Sequence, residues 1–75
     1  MTVHAPDQSE ILYQLELVAL YTNALYAVED LAAAIYRTDS NNGSLTHGPL
    51  ARTAADYKRK IEFHRGLAQR ATNTN

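Results

Sequence analysis

From Asp7 to Thr38 the chain carries neither glycine nor proline, and within that stretch Ser9, Glu16, Asn23, Asp30 and Arg37 stand seven apart. A seven-residue spacing returns side chains to one line of an α-helix, so the pattern specifies a long helix with a narrow polar stripe. Pro6 suits a first helical turn, and Asp7 with Glu10 three positions on reads as a capping box. Asp39, Asn41, Asn42 and Gly43 then supply the turn chemistry that stops the helix. The predicted first helix covers about 7–38 and forms a rod of roughly 45 Å at 1.5 Å per residue. Acids near its start and Arg37 near its end both complement the helix dipole.

A second helix is predicted over about 49–71, with Pro49 at its first position. Gly66 lies in its interior, where glycine costs about 1 kcal/mol against alanine and therefore asks for a reason. Residues 39–48 form the loop and the polar tail 72–75 is expected to fray. No strand signal and no internal repeat is present. The expected fold is all-α: one small domain over 1–75, a two-helix antiparallel hairpin that assembles into a homo-oligomeric helical bundle.

The reason to expect assembly is a mismatch between the two helices. On the first, Ile11, Val18, Leu25 and Ala32 form one apolar line, Tyr21, Val28 and Ile35 a second, and Leu17, Ala24 and Leu31 a third. Leu12, Tyr13, Ala19, Leu20 and Tyr26 carry the apolar surface further round. A surface helix needs an apolar arc of about 100°, and this one has roughly twice that. The second helix offers one stripe in return: Leu50, Ala54, Tyr57, Ile61, His64, Ala68 and Ala71. The candidate oligomer interface is accordingly Tyr13, Leu17, Leu20, Tyr21, Tyr26 and Leu31, with a permanent hetero-partner as the alternative. Other staples are missing. A 75-residue chain buries only about 60 % of its unfolded surface. There is no cysteine, and His4, His47 and His64 are too scattered for a helical metal motif, so no metal site is expected.

Charge is divided along the chain although its sum is only −1. Arg37 is the one base before residue 49, and Asp56 and Glu62 are the only acids after it. The two halves are electrostatically complementary. Within the run YKRKIEFHRG, residues 57–66, helical spacing puts Arg52, Arg59 and Arg70 on an outward line with Phe63 beside them and Gly66 one turn away. These four side chains, Arg52, Arg59, Phe63 and Arg70, are the candidate contact for a partner or an anion, through stacking and guanidinium contacts. Ion pairs from Asp56 and Glu62 to the neighbouring bases compete with that use. His64 falls within the apolar stripe, the usual place for a hydrogen-bonded core histidine.

No nucleophile elbow, phosphate-cradling glycine loop or cysteine nucleophile is present, so neither an enzyme nor a cofactor is expected. The expected function is that of an oligomeric interaction protein, binding itself and a larger protein that it blocks, bridges or chaperones. Phage-encoded inhibitors of host machinery, anti-CRISPR proteins among them, are of this kind, and the sequence carries no motif of any such family. A small anion, nucleotide or nucleic-acid binder is the alternative, and a structural subunit of a larger complex a weaker one. The opening MTVHAPDQ lacks a signal-peptide pattern, and Gln14, Glu16, Asn23, Glu29 and Asp30 interrupt the apolar run. The expected location is therefore cytoplasmic, the cytoplasm of an infected host included, with no membrane contact.

Overall fold

The computed structural model describes residues 8–73, which form two α-helices: α1, Gln8–Tyr36, and α2, Pro49–Asn73. Among the described residues there is no strand. Pro6 and Asp7, which the sequence reading placed in the helix start, lie outside the described residues. The capping box of Asp7 with Glu10 lies outside them too, and within α1 the Glu10 carboxylate accepts a hydrogen bond from Gln14 Nε2 at 2.8 Å.

α1 ends at Tyr36, two residues short of the expected Thr38. The Ile35 carbonyl is shared by the backbone N–H groups of Thr38 and Asp39, at 3.0 and 2.7 Å. Asp39 then draws the chain into a turn, its carboxylate accepting from the Asn42 backbone N–H at 3.1 Å. Gly43 closes that turn onto the helix, and a Cβ there would meet the Tyr36 backbone and, at 2.6 Å, the Ala32 carbonyl oxygen. Buried Ser44 accepts from the N–H groups of Thr46 and His47, at 3.1 and 3.2 Å, and prepares the entry to α2 at Pro49. The far end of α2 reaches beyond the expected position 71. Residues 72 and 73 are helical, with the Thr72 hydroxyl donating to the Ala68 carbonyl at 2.8 Å, and the rest of the tail expected to fray, 74–75, lies outside the described residues.

The helices pack antiparallel along one seam. Gln14 meets His64 and Tyr21 meets Tyr57, so a step of seven up one helix is a step of seven down the other. α1 contributes Val18, Tyr21, Leu25 and Val28, and α2 contributes Ala54, Tyr57 and Ile61. These positions alternate in steps of three and four, the spacing of a coiled-coil seam in which each knob enters a hole of four residues. Tyr21 is the clearest knob. Its ring lies 6.0 Å from the Tyr57 ring and 5.7 Å from the nearly parallel His64 ring, with Lys60 Nζ 5.4 Å from its centroid.

One layer of the seam is polar. His64 Nδ1 lies 2.7 Å from Gln14 Oε1, an amide oxygen that only accepts, so the imidazole carries its proton there. Gln14 is 5 % exposed and spends its amide N–H on Glu10, so the layer is satisfied from both sides. Burying such a group without its partner costs about 1–3 kcal/mol. Gln14→Leu and His64→Leu should each destabilise the hairpin by about that amount, while the double variant regains most of it. Chemical denaturation of the four proteins in a double-mutant cycle measures the difference.

The glycines make an opposed pair of expectations. At Gly66 a Cβ would find only the Arg70 guanidinium at 3.8 Å, so alanine fits and should stabilise by about 0.5–1 kcal/mol. At Gly43 the same change drives a methyl group into helix backbone and should cost about 1–3 kcal/mol. Thermal melts should therefore move up for Gly66→Ala and down for Gly43→Ala.

Candidate interaction surface

The outward line of α2 is a row rather than a cluster. Arg52 and Arg70 stand roughly 27 Å apart along the helix at 1.5 Å per residue, so no single small anion touches both. Arg59 donates to Asp56 at 3.4 Å, and Asp56 also holds Lys60 at 3.1 Å. That carboxylate sits on the floor of the shallow dip lined by Arg52, Tyr57, Arg59 and Lys60, where an anion would have to lie. Arg65 is paired with Glu62 at 3.3 Å, and Arg70 Nε donates to the Gly66 carbonyl at 3.4 Å. Phe63 is 57 % exposed and sets its ring edge-on to His64, with 5.1 Å between centroids. Gly66 is thus covered by Arg70 rather than open as a notch.

The hydrogen bond from Lys60 holds the Asp56 carboxyl below the usual carboxylate range, against the desolvation that pushes it up, and the same bond raises Lys60. A carboxyl depressed in the folded state contributes stability above its unfolded pKa and loses it as pH falls through the folded one. Lys60→Met should therefore move the Asp56 midpoint up toward 3.8, read from the pH dependence of its carboxyl carbon resonance.

These ion pairs all run within α2. Among the described residues no ion pair joins the two helices. Nor is a group of three His, Asp or Glu side chains placed to hold a metal ion among the described residues. His4 lies outside them.

α1 has the larger uncovered surface. The seam takes one face, and the residues opposite fall into two apolar flanks separated by the polar line of Glu16, Asn23 and Asp30. One flank is Tyr13, Leu17, Leu20, Ala24, Ala27, Leu31 and Ala34, in which Tyr13, Leu20 and Leu31 are 54 %, 61 % and 51 % exposed. The other contains Leu12, Leu15, Ala19 and Tyr26 and is broken by Thr22 and Glu29. Of the six residues expected at an oligomer interface, Tyr13, Leu17, Leu20 and Leu31 fall on the first flank and Tyr26 on the second. Tyr21 does not join them; it is the knob of the hairpin seam.

By length and composition α1 is apolar enough to cross a membrane, with a mean hydropathy of 1.2 over its best 18 residues and only 11 % of that window buried. The interruptions that sequence reading relied on are too few to remove that property. The polar line nevertheless runs between the flanks, and each acid carried to a bilayer centre costs about 2.5–3.5 kcal/mol.

An open hollow of about 610 Å³ lies at the loop end, lined by Glu29, Tyr36, Leu45 and His47 among others. Sequence reading missed it, and the available signal was Leu45, a large apolar residue that is 41 % exposed within an otherwise polar loop. No family model matches the chain, and neither a curated protein nor a solved structure shows significant similarity to it.

Proposed function

We propose that this chain is a non-enzymatic interaction protein: a helical hairpin that associates with itself and binds a larger protein, which it blocks, bridges or chaperones. The observation that supports this reading is the outer face of α1. Six of its large side chains, Leu12, Tyr13, Leu15, Leu20, Tyr26 and Leu31, are 47–61 % exposed although the hairpin seam is already filled. Contiguous apolar surface of this extent is the mark of a face that protein covers. The two flanks suit two different contacts. The uninterrupted flank suits a dry helix–helix joint, whereas Tyr26 beside Thr22 and Glu29 suits a mixed contact with a polar rim.

The anion-binding alternative gains no support from the α2 row, whose members are spread along the helix, with Arg59 engaged by Asp56 and Arg70 by the Gly66 carbonyl. Native mass spectrometry of the purified protein separates the two readings. The expected result is two or more copies without added mass. A single copy carrying the mass of a nucleotide or oligonucleotide would overturn the proposal.

A further inference from the structure

The uninterrupted flank of α1 has the spacing of a second coiled-coil seam. Positions 13, 17, 20, 24, 27, 31 and 34 alternate in steps of four and three, as the hairpin seam does, and none of the seven residues is polar apart from the tyrosine hydroxyl. α2 occupies the other seam and leaves this one uncovered.

We propose that the cover is α1 of a second copy, packed antiparallel about a two-fold axis between Ala24 and Ala27. The proposal rests on the reading that protein covers this face, and it adds the occupant, the direction and the register. An antiparallel pair of seams joins alternate positions in layers, here with residue n facing about residue 51 − n. The axis falls among the small residues, where Ala24 faces Ala27 twice and the helices can approach closely. One layer out, Leu20 faces Leu31; beyond that Leu17 faces Ala34, and Tyr13 faces Thr38. The seam is complementary to its own reverse.

Charge selects the same arrangement. Glu16 and Arg37 make no ion pair among the described residues. In this register the polar line of one helix flanks that of the other, bringing Glu16 beside Arg37 of the second copy and Asn23 beside Asp30, each twice. A parallel pair would instead set the polar line against the line of Gln14, Tyr21 and Val28 of the second copy, offering Glu16 no basic partner, and would align the two helix dipoles. The polar line also keeps water access at the edge of an α1–α1 joint, which a lipid environment would deny it.

The chain has no cysteine, so introduced thiols report the register without background. Leu17 and Ala34 of one chain are separated by roughly 25 Å of helix, far beyond disulfide reach, whereas the proposed register sets Leu17 opposite Ala34 of the second copy. Leu17→Cys and Ala34→Cys, each oxidised alone, should remain uncrosslinked, and their mixture after subunit exchange should give a disulfide-linked pair. A crosslink formed by Ala34→Cys alone would overturn the antiparallel direction.

Charge reversal provides the second test. Glu16→Arg or Arg37→Glu alone should weaken association by about threefold to tenfold at low salt, and the two together should restore it. Leu20→Glu should leave the helical circular dichroism intact and give single copies. If oligomers persist unchanged in Leu20→Glu, self-association stands and this seam is refuted. If the unmodified protein is a single copy that co-sediments with phosphatidylcholine vesicles, lipid covers the flank and the proposal fails.

Discussion

The register of α1 on α2 is fixed where Gln14, Tyr21 and His64 meet. Apolar side chains alone leave a helix pair free to slide by a heptad at modest cost, because one leucine layer resembles the next. A buried amide whose oxygen takes the imidazole proton tolerates no such slip, since any other register strands both groups. Tyr21 adds shape to that polar specification by lying between Tyr57 and His64, one heptad apart on α2. With the register settled, every other property of α1 follows, including which of its lines face water.

That settlement explains why the two helices divide their tasks. α2 is an ordinary amphipathic helix whose charges pair among themselves, Asp56 with Arg59 and Lys60, Glu62 with Arg65. Surface pairs of this type add little stability, and their effect here is to place a carboxylate against Arg59, Lys60 and Arg65. α1 is apolar nearly all round, and one seam cannot consume that surface. The molecule is therefore asymmetric: α2 turns a charged face to water, and α1 an apolar one.

Much of the hairpin was legible in the sequence, because the signal was periodic. The seven-residue polar line, the single stripe of α2 and the excess of apolar lines on α1 are all properties of spacing, and spacing survives folding. What escaped was geometry set by particular contacts. The stop at Tyr36 depends on the Ile35 carbonyl being shared and on Asp39 capturing Asn42, neither of which a run of turn formers reveals. Gly66 asked for a reason within α2, and what lies over it is the Arg70 side chain, whose Nε donates to the Gly66 carbonyl, a contact no spacing announces. Tyr21 and Tyr26 look equivalent by residue type, yet one is a core knob and the other is 59 % exposed. The hollow at the loop end carries no periodic signal, and its one cue was the apolar Leu45 in a polar loop.

The tight fit of Gly43 against the last turn of α1 has a kinetic consequence. Contacts next to the loop close the shortest stretches of chain and have the smallest entropy to overcome, so the hairpin zips from the loop toward its open end. Each layer formed brings the next within reach, from Leu25 and Ala54 to Tyr21 and Tyr57. The Gln14–His64 pair, separated by 50 positions, comes late. The polar layer thus acts as a check on the way: a chain zipped out of step arrives there with its amide and imidazole unmatched, at a cost that favours reopening.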